Sequence, residues 1–312
     1  MNLASKPIRR AVGVLLFVIV MVFVVGYGVR TAGRIGSSIW SFDPPIMLAA
    51  LLCVVLGYLN RFLIWLHVAR RFGVDAGLRR AAFIYFGSTL AKYVPGKVGL
   101  VLLRAKMANR GSRGLAVAST AVEYGSSFAA AGTLGIAGIV TYSSPGQWIV
   151  LILALGVVGM LLLIHPRSLR FFCRLYARIA KRQINLSIPP YAIMLRVYLG
   201  LIITGLLNGL ALFLLVLSVS ASISPADYPA IAGAYYLASI GGLIAVFAPG
   251  GLGVREGLLF LLLPSIVSEG LAVSSASVMR AMTLGAEVLL AALGWIGCRL
   301  GGSSRGGTAP DG

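Results

Sequence analysis

Two short Pro-Gly segments interrupt long apolar stretches of this chain, and each lies beside basic residues. The first is VPGKVG at residues 94–99 and the second is APGGLG at residues 248–253; we name them the first tip and the second tip. Proline and paired glycines do not continue a helix. A new helix should therefore begin after each tip, with its unpaired backbone N–H groups and the positive end of its dipole directed at the tip. This arrangement favours an anion, and phosphate is the natural candidate.

Charged side chains in and after the tips support this interpretation. Lys97 adds a full positive charge to the first tip, and Arg255 lies in the first turn beyond the second tip, beside Glu256. A simpler alternative is that Lys97 extends along a helix surface towards water and that Arg255 only pairs with Glu256. The candidate anion-binding residues are Pro95, Gly96, Lys97 and Gly99 at the first tip and Pro249, Gly250, Gly251, Gly253, Arg255 and Glu256 at the second.

Four further ionisable residues lie within apolar runs, namely Arg61, Glu123, Arg280 and Glu287. A charge at the centre of a membrane helix costs about 2.5 to 3.5 kcal/mol on insertion scales, so such residues usually face a partner or a cavity. Arg61 lies near a predicted helix end and could instead reach water. Arg280 and Glu287 share one helical face about 10 Å apart by helical rise, so a ligand or a water chain could sit between them.

No pattern in the sequence is typical of an enzyme or a metal site. The two histidines, His67 and His165, stand alone, and the three cysteines lie far apart. No Cys-His, His-Glu or paired-carboxylate spacing is present, and PGKVG is not a nucleotide-binding P-loop. We expect no catalytic residue, no metal and no cofactor.

The composition indicates that these residues belong to a membrane protein. Of 312 residues, 59% are hydrophobic and 11% are charged, with a mean hydropathy of +0.94, whereas about 25% of an ordinary soluble domain is charged. The 27 Lys and Arg against 8 Asp and Glu give a formal charge of +19. We expect no nucleic-acid partner, because the basic clusters alternate with apolar runs long enough to span hydrocarbon.

Six apolar runs are long enough to cross a bilayer as helices, since about 20 residues span its core of about 30 Å. They are residues 11–29, 46–69, 115–142, 148–164, 193–219 and 277–300. The stretches that contain the tips, residues 78–108 and 231–268, are predicted to be helical hairpins that enter and leave the membrane by the same face. The charge pattern requires an even number of crossings in each stretch, and unwound backbone at that depth must face protein or water. Two kinked or tandem short spans are the alternative in each stretch.

Lys and Arg in short loops predict the orientation, because such loops stay on the cytoplasmic side. Basic clusters occur at residues 6–10, 70–80, 104–113 and 167–182. Both termini are therefore predicted to lie on the cytoplasmic side of the cytoplasmic (inner) membrane. Residues 165–190 are predicted to form a basic cytoplasmic loop, and residues 301–312 a disordered tail.

A repeated order of elements predicts an internal repeat within a single membrane domain. The string GLAVAST at residues 114–120 returns as GLAVSSA at residues 270–276, with almost the same offset as the two tips. Each half, residues 11–142 and 148–300, would contain span, span, hairpin and span, and three crossings require the second half to insert upside down. The predicted fold is an all-α polytopic membrane protein with about six full transmembrane helices and two re-entrant hairpins. Inverted repeats with broken helices are an architecture of secondary transporters.

At these residues the sequence resembles the lysylphosphatidylglycerol synthase transmembrane-region family, also called flippase-like domain proteins. The matching features are YVPGKVG with Arg104 shortly after it, the following span with Glu123, and APGGLGVREG followed by the span with Arg280. The resemblance implies a role in moving anionic or aminoacylated phospholipids, or lipid-linked sugars, across a bilayer, and it adds Arg104 to the candidate headgroup-binding residues. The soluble aminoacyl-transferase domain of the founding synthases has no counterpart in this sequence, so we expect no synthesis of aminoacyl lipid.

The main hypothesis is a flippase-like protein that binds an anionic phospholipid or a lipid-linked phosphate at the tips and translocates it. A second hypothesis is a lipid-binding scaffold that does not transport and that holds an envelope lipid- or glycan-synthesis enzyme through the basic loop. A third hypothesis, an intramembrane lipid-phosphate transferase, is disfavoured because no catalytic constellation is present.

Overall fold

The computed structural model describes residues 42–74, 76–93, 99–108, 113–142, 148–168, 170–171, 189–220, 222–245, 248–251, 253–263 and 266–302. Within these ranges all regular structure is helical and no strand occurs. The main helices are α1 (Pro44–Arg71), α2 (Leu78–Thr89), α3 (Gly99–Met107), α4 (Arg113–Tyr142), α5 (Trp148–Leu163), α6 (Tyr191–Leu217), α7 (Tyr228–Ile244), α8 (Val254–Leu262) and α9 (Glu269–Gly302). Short 3-10 turns lie at Leu90–Tyr93, Pro225–Asp227 and Pro249–Gly251.

Proline and glycine mark several helix ends. Pro44 opens α1, Pro190 precedes α6, and Pro229 stands in the first turn of α7. A proline is tolerated there because the first backbone N–H groups of a helix have no partner within the helix. Gly73 follows α1 with a φ of 81°, a conformation that a side chain disfavours.

The outer surface of the helix bundle is apolar. Helices α1, α6 and α9 are each long and apolar enough to cross a membrane. On α1 one helical face exposes leucines at three- and four-residue spacing, with Leu48 68% exposed, while the opposite face buries Ala50, Val54 and Trp65. A helix in water would bury the leucine face, so this pattern indicates contact with lipid. The chain is a membrane protein.

The helices of the bundle pack closely on one another, in places through small residues. The most extensive contacts join α1 to α6, α4 to α7, and α9 to α2. At the contact of α4 with α7, a Cβ on Gly138 would overlap the backbone of Gly233. Glycine therefore lets these two backbones meet directly, as is common between membrane helices.

The predicted spans 46–69, 115–142, 148–164, 193–219 and 277–300 correspond to helices α1, α4, α5, α6 and α9. The predicted hairpin stretches contain α2 with α3 and α7 with α8, and the helices of each pair contact each other. Three segments with predictions lie outside the described residues. They are the first predicted span (residues 11–29), residues 94–98 of the first tip and residues 172–188 of the basic loop.

Helix α9 extends beyond the predicted span 277–300. It begins at Glu269 and is described as far as Gly302. The prediction followed apolar runs only, and it missed that small residues such as those of GLAVSSA continue a helix. The matching string GLAVAST likewise lies at the start of α4, so both copies open a long helix after a tip.

Candidate functional site

A first charged cluster is built around the Glu123 carboxylate on α4, whose side chain is 1% exposed. Arg104 on α3 places Nη1 2.9 Å from Oε2, and Arg61 on α1 places Nη2 3.2 Å from Oε1. The Tyr85 hydroxyl on α2 donates a hydrogen bond of 2.8 Å to the same Oε1. One carboxylate therefore holds two arginines and joins four helices.

Both arginines have further partners. The Arg104 guanidinium, 1% exposed, donates from Nε to the Ser88 hydroxyl at 3.0 Å and lies 4.5 Å from the centre of the Tyr85 ring. Arg61 donates from Nη2 to the Ser127 hydroxyl at 3.0 Å. The alternative in which Arg61 only reaches towards water is wrong, because its guanidinium pairs with Glu123.

A second charged cluster is built around the Glu287 carboxylate on α9. The Lys92 ammonium, in the turn before the first tip, pairs with Oε1, and the Tyr58 hydroxyl on α1 donates to the same atom. The Tyr93 hydroxyl donates to Oε2 at 2.8 Å. Glu287 thus fixes the residues that immediately precede the first tip.

Arg280, also on α9, fixes the second tip. Its Nε lies 3.2 Å from Oε1 of Glu256, and its Nη2 donates to the Gly250 carbonyl at 3.3 Å. The predicted alternative of an Arg255–Glu256 pair is wrong, because Glu256 pairs with Arg280. The Arg255 guanidinium instead lies 4.1 Å from the centre of the Tyr235 ring.

The group between Arg280 and Glu287 is a side chain of the protein. The Arg280 guanidinium lies 5.7 Å from the centre of the Tyr93 ring, and the hydroxyl of that ring donates to Glu287. The two charges that lie two turns apart on α9 are therefore connected by Tyr93.

The second tip has the geometry that its glycines permit. Gly250, Gly251 and Gly253 have φ values of 60°, 71° and 82°. Helix α8 begins directly after the second tip, so the helix start predicted there is confirmed. Helix α3 is described from Gly99 onward. The backbone N–H of Gly253 donates to Oε2 of Glu256 at 2.7 Å, which satisfies one helix-terminal donor within the protein.

The second tip packs directly against the chain that enters the first. A Cβ on Gly250 would overlap the ring of Tyr93. Gly251 lies against the backbone of Gly242 on α7, where a Cβ would come within 3.1 Å. Glycine is therefore required at this contact for both its conformation and its size.

A cavity of about 330 Å³ lies between the two charged clusters. Its charged lining residues are Arg61, Lys92, Arg104, Glu123 and Arg255. Its tyrosines are Tyr58, Tyr85, Tyr124, Tyr235 and Tyr236, and apolar side chains such as Leu201 and Leu243 complete the wall. The wall of the cavity therefore has more basic than acidic side chains, several tyrosine hydroxyls and an apolar part.

The predicted site residues divide into four groups around this cavity. Lining residues are Arg61, Arg104, Glu123, Gly250, Gly251 and Arg255. Glu287 pairs with Lys92 and accepts a hydrogen bond from Tyr58, and both of these residues line the cavity. Arg280 pairs with Glu256 and donates to the Gly250 carbonyl in the second tip. Gly253 is the N-cap of α8, and Gly99 is the first described residue of α3. Of Pro249 only the backbone in the second tip is described. Pro95, Gly96 and Lys97 lie outside the described residues.

The sequence model of the lysylphosphatidylglycerol synthase transmembrane region matches residues 10–291. This chain belongs to that family. No curated protein matches the chain. The match includes both tips and both charged clusters, so the site described above lies within the family region.

Sequence reasoning missed several residues of this family member's site. Lys92 lies in the same apolar stretch as Lys97. The rule that singled out Arg61, that an ionisable residue in an apolar run usually faces a partner or a cavity, applies to Lys92 as well. The tyrosines Tyr58, Tyr85 and Tyr93 carry no such signal, because a tyrosine in an apolar helix is as typical of packing or of a membrane interface as of a polar site.

The contact of Gly250 with Tyr93 predicts a large effect of a single methyl group. Gly250→Ala should lower the free energy of unfolding by about 2 kcal/mol, because alanine disfavours a positive φ and its Cβ overlaps the ring. Thermal melting of the purified protein in detergent measures this change. Gly257→Ala is the matched control, because Gly257 lies within α8 with open space around it. Equal melting temperatures for the two variants would contradict the described contact.

Proposed function

We propose that this protein binds an anionic lipid headgroup in the central cavity and translocates it across the bilayer. The observation that carries the proposal is a cavity within an apolar helix bundle whose lining holds four basic residues and one acidic residue. Buried basic side chains that outnumber the neighbouring carboxylates favour an anionic ligand, because that ligand supplies the missing negative charge. The apolar outer surface keeps the acyl chains of such a ligand in the bilayer while its headgroup enters the cavity.

The arrangement of the helices supports transport by two inverted repeats. In each half a long helix, a broken hairpin and a second long helix follow in order, α1 to α4 and α6 to α9. The last helix of each half packs on the first hairpin helix of the other half, α4 on α7 and α9 on α2, and α1 packs on α6. A two-fold axis that relates the two halves would produce these matching contacts. Broken helices that meet near the midplane are typical of secondary transporters, in which one repeat rocks against the other.

In the proposed topology, six full spans and two re-entrant hairpins place both termini on the cytoplasmic side of the inner membrane. A cysteine introduced at Ser144 should react with an impermeant reagent from outside, and one at Ser168 only after permeabilisation. Labelling of the Ser168 position in intact cells would overturn this orientation.

The second candidate function is a scaffold that binds lipid without moving it. Arg167 and Arg170 are exposed at the start of the basic loop, and each basic residue near an anionic leaflet contributes about 1 kcal/mol of attraction. Such a surface would suit recruitment of an envelope lipid- or glycan-synthesis enzyme. We propose no catalysis for the protein in either case.

A flip assay in reconstituted vesicles tests translocation. A fluorescent anionic phospholipid should reach the outer leaflet faster in vesicles that contain the protein than in vesicles without it. Arg255→Gln should slow this exchange, and Arg196→Gln should not, because Arg196 is exposed on α6 and does not line the cavity. Lipid binding without accelerated exchange would favour the scaffold.

A further inference from the structure

The charges around the cavity can be counted cluster by cluster. In the first cluster Arg61 and Arg104 share the single carboxylate of Glu123. Arginine does not lose its proton in proteins. The first cluster therefore keeps one uncompensated positive charge.

The charged residues of the second cluster and of the second tip, taken together, also keep one uncompensated positive charge. Lys92 and Glu287 form a pair that has no net charge whichever partner holds the proton, and Arg280 and Glu256 form another neutral pair. Arg255 remains; its guanidinium stacks on Tyr235 and forms no ion pair with any residue that the structure describes.

Among the residues that the structure describes, no other carboxylate is placed to neutralise these two cations. The sequence contains eight acidic residues, and three of them are already used in the two clusters. Asp43, Asp227 and Glu269 lie at helix starts and do not line the cavity. The remaining two, Asp75 and Asp311, lie outside the described residues.

Both uncompensated cations face the same space. Arg61 of the first cluster and Arg255 beside the second tip both line this cavity. A guanidinium binds phosphate oxygens through parallel N–H donors. Two such groups on the walls of one cavity match a ligand with two negative charges.

We propose that the cavity binds a phosphate group that carries two negative charges, a phosphate monoester or a diphosphate, in preference to a singly charged phosphodiester. This inference rests on the proposed function for the lipid nature of the ligand. It also disfavours aminoacylated lipids, because their ammonium group would add to the cations of the cavity.

The test compares lipids that differ by one charge. Phosphatidic acid and phosphatidylmethanol with the same acyl chains differ only by a methyl ester on the phosphate, and at pH 8 the monoester is mostly a dianion, since its second pKa is about 6. Binding to the purified protein in detergent is measured by titration, with phosphatidylglycerol as a second phosphodiester and phosphatidylcholine as the zwitterionic reference. We expect phosphatidic acid to bind at least about tenfold more tightly than phosphatidylmethanol.

Variants assign the preference to the two cations. Arg255→Gln and, separately, Arg61→Gln should each reduce the preference for phosphatidic acid to about threefold or less, as expected when one charge-assisted contact is lost. Arg196→Gln should leave it unchanged. Neither cavity variant should unfold the protein, because Arg255 has no ion pair to lose and Arg104 still compensates Glu123 when Arg61 is replaced.

The outcomes separate this inference from the proposed function. Equal binding of phosphatidic acid and phosphatidylmethanol would overturn the two-charge inference and leave anionic-lipid binding intact. Binding of every anionic lipid no tighter than phosphatidylcholine would overturn both. Displacement of phosphatidic acid by soluble pyrophosphate but not by singly charged lipids would support the charge class and identify a headgroup site that does not require the acyl chains.

Discussion

Glu123→Gln should destabilise the protein strongly, because this carboxylate is the shared partner of two arginines from two helices. The amide would leave Arg61 and Arg104 facing each other without a negative charge, and Arg104 has almost no access to water. Breaking a buried ion pair by removing one partner costs about 3–5 kcal/mol. We therefore expect Glu123→Gln to have low expression or a much lower melting temperature than the wild-type protein.

The measurement is thermal melting in detergent with a matched substitution as control. Glu269→Gln makes the same chemical change at an exposed position, the first residue of α9, and should leave the melting temperature nearly unchanged. Adding Arg61→Gln to Glu123→Gln removes one of the two stranded cations and should recover part of the loss. A single Glu123→Gln variant as stable as Glu269→Gln would show that the cluster does not hold these helices together.

Local features of the fold could be predicted from the sequence because they depend on neighbouring residues. Proline and glycine end helices through their own backbone chemistry, so the start of α8 after the second tip follows from that tip alone. The apolar runs likewise predicted α1 and α6 closely, because a proline marks the start of each helix and a long apolar run follows it.

The partners of the buried charges could not be predicted in the same way. Glu123 meets residues 19, 38 and 62 positions away, and Glu287 meets Lys92 across 195 positions. Such pairs depend on how helices pack, and several cations in apolar runs were available to each carboxylate. The local rule assigned Glu256 to its neighbour Arg255, whereas packing of α8 on α9 brings Arg280 to it.

The tyrosines changed the interpretation of the site most. Helical rise correctly separated Arg280 from Glu287, but no sequence pattern indicated that Tyr93 lies between them. Because that ring also packs on Gly250, one tyrosine connects the turn before the first tip, the second tip and α9. Helix α9 therefore contacts the turn before the first tip through Glu287 and the second tip through Arg280.

The Arg280–Glu256 pair provides the most direct separation of a structural role from a role in transport. Arg280→Gln alone should cost about 3–5 kcal/mol of stability, because it leaves the buried Glu256 carboxylate without its cation. Adding Glu256→Gln removes that stranded charge. The glutamine oxygen can still accept from the Gly253 N–H, so the helix cap is kept and much of the melting temperature should return.

Transport should respond differently from stability in this pair of variants. If Arg280 holds and releases the second tip during each cycle, the stable double variant still lacks the charged contact to the Gly250 carbonyl, and its flipping rate should stay at least about tenfold below the wild-type rate, since a charge-assisted hydrogen bond contributes about 1.5–3 kcal/mol. Melting and flipping are measured on the same preparations in the same lipid. Recovery of flipping in step with the melting temperature would leave Arg280 with a structural role only.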